Sequence, residues 1–452
     1  MTDYLELAKS VVAKAATGNL EVEVIITENQ STSIRVSEGE VEQLSQSGSG
    51  GMGVRVIDGG KMGYAHTSDL SEESIDQTWK AAVDLCKVVT PDDYRKLPDP
   101  EPVPDEDLGI WDESLKDVSV EDKIQLALAM EKATLDYDER IVLTNRATYG
   151  DSIGYTYLAN SKGFADYYGR TTCFSFLVAI ARDEDGGMVN AVDLGASNFF
   201  KDLDAIAIGE KAAKKALSLL GGEPVPTQKG TVVLDHFVGA QILAVLSQAL
   251  SSSSWQRSRS FLKGRMGEEV GSSMVTLMDN GRLKGGMASA PFDGEGVPTK
   301  ATRLIDEGVL QNLMYDSYSA AKDGVVSTGN AQRPGHQGLP TLGASNFYMQ
   351  EGTKSPEEII KGVDKGLYVL TVMQTGGVDP VTGECSMSAN GLWIENGELK
   401  QSVGGVTIAT TLNELLQNIS DVGNDLRQMP IFGTIGVPTL RVDNVTIGGV
   451  DA

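Results

Sequence analysis

A glycine- and proline-rich break divides the sequence into two parts with different residue patterns. A helical pattern over residues 202–220 ends at two glycines, and Glu223-Pro224-Val225-Pro226 follows it. Proline lacks a backbone donor and fixes φ, so this segment joins two units and does not extend a sheet. Because 452 residues also exceed one ordinary hydrophobic core, we predict an N-terminal domain over residues 1–222 and a C-terminal domain over residues 230–452.

The N-terminal part alternates helical and strand patterns. Further helices are predicted over residues 4–17, 71–88 and 119–137. Two strands are expected within residues 20–37, a hairpin turns at Asp58-Gly59, and several strands lie between residues 141 and 197. An acidic, proline-spaced connector covers about residues 97–108. The alternation indicates antiparallel strands with flanking helices.

The C-terminal part has a different pattern. Residues 231–234 are typical of a strand, and the helix after them carries an apolar stripe that includes Ile242 and Leu246. Glycine-containing turn signals then recur at Asn280-Gly281, Glu307-Gly308, Asn396-Gly397 and Gly448-Gly449. Such turns predict a mostly β domain with a few helices, and the whole chain is therefore expected to be α+β.

The charge balance excludes several classes of partner. The sequence has 38 Lys and Arg against 63 Asp and Glu, a formal net charge of −25. A surface this negative repels phosphate backbones and anionic lipids, so nucleic-acid and membrane binding are not expected. The N-terminus is acidic without the apolar stretch of a signal peptide, and the apolar runs are too short to cross a bilayer. We expect a cytoplasmic protein.

The sequence lacks the usual pattern of a self-contained catalytic centre. Its three histidines are far apart, and H-E-x-x-H does not occur. We therefore expect His66 in a strand, His236 at a helix start and His336 in a loop, with no metal bound by this chain. Cys385 has no histidine near it in sequence, which favours a buried structural thiol over a nucleophile.

Three polar segments of the C-terminal part remain candidates for a site: residues 251–259, 292–299 and 327–333. Asp293 and Glu295 stand one residue apart, so on a strand they would point the same way and could act in acid–base chemistry. A solvated pair of loop carboxylates is the alternative that the sequence favours.

Segments in this same order resemble the TldD/PmbA family. They are S-R-S-F-L-K-G-R-M-G (258–267), F-D-G-E-G-V-P-T (292–299), L-I-D-E-G-V-L (304–310), S-T-G-N-A-Q-R (327–333), L-W-I-E-N-G (392–397), V-G-N-D-L (422–426) and G-V-P-T-L-R-V-D-N-V-T-I-G-G (436–449). Because seven segments agree in order, the resemblance is far more specific than any single motif, and it covers most of residues 230–450.

The resemblance implies one of two paralogous types. The TldD type carries an H-E-x-x-x-H zinc motif at the start of the first C-terminal helix and a cysteine ligand near the C-terminus. Here Asp235 and His236 mark the corresponding position, with no Glu beside the histidine and no second His within reach. Residues 421–440 contain no cysteine. The chain therefore looks like the metal-free TldE/PmbA type.

The family resemblance implies a noncatalytic subunit that pairs with a TldD-like, zinc-bearing paralogue. The pair would enclose a chamber for unfolded or leader peptides, with the zinc in the partner. Candidate chamber residues are Ser258, Arg259, Asp293, Glu295, Ser327, Asn330 and Arg333. Two alternatives stay open, a homodimeric regulatory or peptide-binding protein (the family's "modulator of DNA gyrase" label) and an autonomous hydrolase using Asp293, Glu295 or Cys385.

Overall fold

The computed structural model describes residues 3–373, 377–430 and 434–450. Its N-terminal part is built on one six-stranded antiparallel sheet with the order β3-β2-β1-β4-β5-β6. The strands are β1 (Glu21–Ser37), β2 (Glu40–Asp58), β3 (Lys61–Thr67), β4 (Ile141–Asn160), β5 (Ala165–Arg182) and β6 (Met188–Ser197). The expected α+β class with antiparallel N-terminal strands is confirmed.

The prediction of two strands within residues 20–37 is wrong, because β1 is one strand of 17 residues. Its polar middle does not break it, since β2 pairs along one side and β4 along the other. Ser31, for example, lies opposite Ser47 of β2 and Ser152 of β4. Hydrogen bonding on both edges satisfies the backbone, so small polar side chains are accommodated within the strand.

Four helices cover one face of this sheet. They are α1 (Tyr4–Ala15), α2 (Glu72–Val88), α3 (Val120–Leu135) and α4 (Ala205–Ser218). Each starts at a capping side chain that accepts a first-turn N–H, namely Asp3, Ser71, Ser119 and Asp204. The helices pack on alternate sheet residues such as Ile26, Ile34, Val54 and Tyr149. The predicted helices are confirmed, although α1, α3 and α4 are a few residues shorter than expected.

The C-terminal part contains fourteen described strands, most of them short. They are β7 (Gln228–Leu234), β8 (Leu277–Asn280), β9 (Ala301–Asp306), β10 (Val309–Leu310), β11 (Ala331–Gln332), β12 (Thr341–Leu342), β13 (Asn346–Met349), β14 (Lys365–Met373), β15 (Glu384–Glu395), β16 (Glu398–Thr411), β17 (Ile419–Val422), β18 (Arg427–Met429), β19 (Thr434–Val437) and β20 (Leu440–Gly448). The helices are α5 (His236–Ala249), α6 (Ser252–Gln256), α7 (Ser317–Asp323), α8 (Pro356–Lys361) and α9 (Leu412–Asn418). The expected mostly β composition with a few helices is confirmed.

Five of these strands close into a ring. The order β16-β15-β14-β7-β20 returns to β16, because Thr407 to Ala409 pair with Thr446 to Gly448. A closed ring leaves its strands without free edges along the paired residues. A second sheet has the order β10-β9-β8-β13-β19-β18. Helix α5 contacts both β14 of the ring and β19 of this sheet, and nine of its residues are buried.

The face of the N-terminal sheet opposite its helices packs partly on the C-terminal part. Ile25 of β1 and Leu158 of β4 form a small apolar cluster with Phe164 and Phe292. The rings of Phe164 and Phe292 meet edge to face with centroids 5.0 Å apart. Another area of that sheet face borders an open cleft. Among the described residues, no helix has the length and apolar character needed to cross a membrane.

Replacement of Leu177 by Ala is expected to destabilise the N-terminal part. Leu177 of β5 is fully buried beneath the helices, so the variant should lose about 2–5 kcal/mol in the free energy of unfolding. Leu143 of β4 is 40% exposed, and Leu143→Ala serves as the matched control with an expected change within about 0.5 kcal/mol. Urea denaturation followed by circular dichroism measures both, and equal losses would contradict this packing.

Candidate functional site: the cleft between the N-terminal sheet and the C-terminal loops

A cleft with a volume of about 550 Å³ lies between the N-terminal sheet and loops of the C-terminal part. Its floor is the sheet face that carries no helix. Because side chains alternate along a strand, every second residue of three neighbouring strands points into the cleft. These floor residues are Thr27 and Asn29 of β1, Ser152, Gly154 and Thr156 of β4, and Tyr168, Arg170 and Thr172 of β5. Most side chains of the floor are small and polar, and Arg170 is the charged one among these residues.

The opposite wall comes from residues 287–294 and 331–337. Asp293 organises this wall through backbone donors. Its Oδ1 accepts the N–H groups of Glu295 at 2.9 Å and Val297 at 3.0 Å, and its Oδ2 accepts that of Ala331 at 3.0 Å. Burial and the nearby Glu295 carboxylate raise the pKa of Asp293, while the three N–H groups oppose that rise. The Asp293 carboxylate thus ties the turn at 293–297 to β11.

Glu295 belongs to a buried chain of alternating charges that joins the two parts of the protein. Glu23 Oε2 of β1 accepts from Arg55 Nη2 of β2 at 2.7 Å, and Arg55 Nη1 donates to Glu295 Oε1 at 3.0 Å. The other oxygen of Glu23 accepts from Arg333 Nη2. Burial opposes ionisation of Glu23, but the Arg333 and Arg55 guanidiniums outweigh it and hold its pKa below the usual value. Two cations and two anions therefore balance each other inside the protein.

The interpretation of Asp293 and Glu295 as solvated loop carboxylates is wrong. Their exposed fractions are 7% and 4%, because backbone amides satisfy the first and Arg55 and the Ser317 N–H satisfy the second. Buried carboxyl oxygens need such hydrogen-bond donors. The oxygens of Glu295 are both used in this way, so its side chain supports the wall and does not face the cleft.

His336 fastens the end of the wall to the sheet. Its Nδ1 lies 2.9 Å from Thr27 Oγ1, and its carbonyl accepts from Tyr64 Oη at 2.5 Å. The approach requires glycine on β2, since a Cβ on Gly51 would lie 2.5 Å from His336 Nε2. Burial and then His66 lower the pKa of His336. The contacts with Thr27 and Tyr64 give His336 a positioning role at the end of the wall.

The remaining candidates lie behind or away from the cleft. Asn330 Nδ2 donates to Asp279 Oδ2 at 2.6 Å, and Ser327 Oγ donates to the Tyr315 carbonyl at 3.1 Å, so both shape the wall from inside. Ser258 and Arg259 are exposed after α6 and do not line the cleft. Of the seven candidate residues, Asp293 and Arg333 border it.

Sequence reasoning missed the floor entirely. The available signal was an alternation of small polar residues along strands, such as Ser31, Ser33, Ser45, Ser47 and Ser49 on β1 and β2. Strands that bury one face usually alternate apolar and polar residues. A polar face with so few charges could have indicated a binding surface within the N-terminal half.

The position of the degenerate zinc motif is occupied by an ion pair. His236 Nε2 lies 2.9 Å from Asp425 Oδ2 and 2.8 Å from the Asp425 carbonyl oxygen. Asp235 caps α5 through the Phe237 N–H at 3.0 Å and pairs with Lys215 Nζ at 3.0 Å. Burial alone would lower the pKa of His236, but the Asp425 hydrogen bond and the neighbouring carboxylates raise it. The paired histidine lowers the pKa of Asp425 to about 2 against the opposing effect of burial.

These residues do not fit a zinc ion. His236 already uses Nε2, the next residue is Phe237, and Gln241 five residues on donates to the Phe237 carbonyl at 3.2 Å. Zinc sites need three or more imidazole, thiolate or carboxylate ligands. Across residues 3–373, 377–430 and 434–450, no three such side chains are grouped to hold a metal. Cys385 is buried as expected, and burial raises the pKa of its thiol to about 12.

Comparison with known proteins places this fold and site in one family. Three models match, the PmbA/TldA metallopeptidase domain 1 at residues 22–86, the central domain at 113–220 and the C-terminal domain at 227–449. The metalloprotease PmbA homolog of Haemophilus influenzae is 30% identical, with 98% of this chain and 96% of that protein covered. The three models match successive parts of the chain, and each describes a domain of the PmbA/TldA metallopeptidases. The chain belongs to the PmbA/TldD family.

Solved structures share the fold. A protein of Thermotoga maritima described as a modulator of a DNA gyrase superposes with a TM-score of 0.90 at 26% identity, covering 98% of this chain and 100% of that one. TldE from Thermococcus kodakarensis also gives 0.90, at 23% identity and with 99% and 100% covered, which shows a common fold. The family resemblance seen in the sequence segments is thereby confirmed.

Replacement of Arg55 by Met should strongly destabilise the protein. The variant leaves the carboxylates of Glu23 and Glu295 buried with too few cations, at an expected cost of about 3–5 kcal/mol. Arg303→Met is the control, because Arg303 forms only an exposed pair with Asp306 and its loss should cost about 0–1 kcal/mol. Guanidinium denaturation of both variants measures the difference. A loss for Arg55→Met no larger than for the control would refute the charge network.

The His236–Asp425 pair predicts a definite pH dependence. The raised pKa of His236 means that its contribution is complete below about pH 6.5 and is lost as the pH rises through the folded value. The lowered pKa of Asp425 means that its contribution is present above about pH 3.8 and is lost as the pH falls toward about 2. The stability difference between the wild type and His236→Gln should therefore be largest between about pH 4 and 6.5. A difference independent of pH, measured by denaturation at several pH values, would contradict the ion pair.

Proposed function

We propose that this chain is the noncatalytic, metal-free partner subunit of a TldD/TldE-type zinc metallopeptidase that acts on unfolded or leader peptides. The observation that carries the proposal is the ion pair of His236 with Asp425, which occupies the place of a metal centre. Phe237 and Gln241 offer neither a carboxylate nor an imidazole there. Zinc activates water only where ligands hold the metal and a base takes the proton, and the proposal assigns both tasks to a TldD-like paralogue.

The cleft supports a role in holding extended peptide. Its floor offers the hydroxyl groups of Thr27, Ser152, Thr156 and Thr172 and the amide of Asn29. Such groups can bond to peptide backbone without selecting particular side chains. A peptide held by its backbone is bound in extended form with little sequence preference. This is the property that a chamber for diverse unfolded peptides needs.

An unpaired strand edge adjoins the cleft. Beyond its pairing with β3 at residues 52–58, β2 continues through Glu40–Ser49, which are all exposed. Within the described chain, this stretch pairs with β1 alone. Free edges are sites of strand addition and are commonly protected by Lys or Pro, neither of which occurs in residues 40–50. Ser49 lines the cleft, so an extended segment leaving the cleft can pair with β2.

The same edge supports the alternative of a homodimeric regulatory or peptide-binding protein without a peptidase partner. Two copies could pair antiparallel through residues 40–50, and Glu40 and Glu42 of one copy would then face Gly50 and Gly48 of the other. A stable homodimer that does not bind the paralogue would favour this alternative. We place either assembly in the cytoplasm, because Cys86, Cys173 and Cys385 are all unpaired thiols, as a reducing compartment keeps them.

Reconstitution with the H-E-x-x-x-H paralogue of the same organism tests the proposal. We expect a heterodimer by light scattering and cleavage of an unfolded peptide by the mixture at a rate well above that of either protein alone. The control is this chain carrying Asp425→Asn, which alters the ion pair but adds no ligand and should leave cleavage by the mixture in place. Cleavage by this chain alone that survives chelator treatment would show an autonomous hydrolase and refute the proposal.

A further inference from the structure

Arg170 lies on the β5 side of the cleft floor. It is the residue of β5 opposite Gly154 of β4, and the same row continues to Asn29 of β1 and Ser49 of β2. Glycine opposite Arg170 leaves space above the sheet for the long side chain. Arg170 also borders a neighbouring hollow of about 530 Å³ that is lined in part by Phe174, Phe176 and Leu194. Arg170 therefore lies at the boundary between the polar cleft and this more apolar hollow.

Most other ionisable side chains around the cleft have partners, although Arg333 bonds through Nη2 alone and its buried Nε and Nη1 have none within the described chain. Arg333 pairs with Glu23, and Asp293 accepts three backbone N–H groups. Glu28 points to the opposite sheet face by strand alternation, where Tyr157 Oη donates to it at 3.5 Å. Arg170, in contrast, takes part in none of the ion pairs or side-chain hydrogen bonds formed within the described chain. Within the described chain, Arg170 is thus the cation of the cleft that has no carboxylate partner.

We infer that Arg170 is a binding residue for a carboxylate of the peptide held in the cleft. A guanidinium presents a planar set of donors that matches a carboxylate in two parallel hydrogen bonds. Two hydroxyls stand beside it, since Ser152 Oγ and Thr172 Oγ1 lie 2.8 Å apart on the adjoining positions of β4 and β5. One of the two hydroxyls donates to the other, which leaves one O–H free to donate to the same anion. No carboxylate of the cleft floor competes for Arg170.

The net charge of the whole chain also bears on how a carboxylate could bind in the cleft. A net charge of −25 repels anions at long range, so a carboxylate is retained only where a cation contacts it directly. The inference rests on the proposed function, because it specifies which group of the peptide the cleft recognises. That group is either the C-terminal carboxylate or an Asp or Glu side chain. A carboxylate fixed at Arg170 would set the register of the extended peptide along the floor.

Peptide binding to the full chain tests the inference. The probe is a fluorescein-labelled unstructured peptide with one Asp and a free C-terminus, measured by fluorescence anisotropy. Two further peptides carry either an amidated C-terminus or Asn in place of the Asp. Each is measured with the wild type, Arg170→Gln, Arg170→Lys and the surface control Arg303→Gln. Thermal denaturation of each variant checks that it is folded.

We expect Arg170→Gln to bind the first peptide roughly tenfold more weakly, which is about 1.4 kcal/mol, and Arg303→Gln to bind it like the wild type. Arg170→Lys should retain part of the affinity, since it keeps the charge without the planar donors. Weaker binding of the amidated peptide to the wild type, but not to Arg170→Gln, identifies the C-terminal carboxylate. The same result with the Asn peptide identifies the side chain.

Equal binding of all three peptides by the wild type and Arg170→Gln would overturn the inference and leave the proposed function intact. Absence of peptide binding by the wild type would overturn the inference as well. The proposed function is tested separately. It fails if the paralogue forms no complex with this chain, or if the paralogue cleaves peptide equally well without this chain.

Discussion

The arrangement of this protein depends on a buried chain of four charges. Glu23 and Arg55 lie on neighbouring strands of the N-terminal sheet, and they meet Glu295 and Arg333 from two loops of the C-terminal part. Charges of this kind are costly to bury and become tolerable only when each finds its partner. The two parts of the chain therefore pack in the relative position that brings all four charged side chains into contact. That arrangement places the 293–297 turn and β11 opposite the sheet face that carries no helix. The cleft lies between this sheet face and the two C-terminal segments.

The cleft follows from an asymmetry of the N-terminal sheet. Its four helices bury one face, and the opposite face is divided between an apolar area around Phe292 and a polar area that stays open. Hydroxyl and amide side chains on the open area suit backbone recognition. Arg170 supplies the one specific charge on the floor. We propose that this surface holds many peptide sequences and recognises a single carboxylate.

Local signals in the sequence predicted the elements well. The helices predicted over residues 71–88, 119–137 and 202–220 are present, and the structure shows that Ser71, Ser119 and Asp204 cap them. The glycine turn at Asp58-Gly59 likewise connects β2 and β3. The single long strand β1 was not predicted, since its polar middle is stabilised by neighbours that are distant in sequence. The family segments identified the motif position at His236, where the structure finds the Asp425 ion pair.

Sequence reasoning reached only part of the site, since it named Asp293 and Arg333 of the wall but no residue of the floor. Arg55 and Glu295 are 240 residues apart, and nothing local to residues 292–299 reveals that a guanidinium buries this carboxylate. The floor is equally nonlocal, because Asn29, Gly154 and Arg170 become neighbours only through strand register.

The central claim is that the metal of the assembly belongs to the partner and not to this chain. Anomalous diffraction at the zinc absorption edge, from crystals of this chain bound to its zinc-bearing paralogue, tests it most directly. The account predicts one anomalous peak per pair, surrounded by side chains of the paralogue. A peak within bonding distance of His236 Nε2 would contradict it.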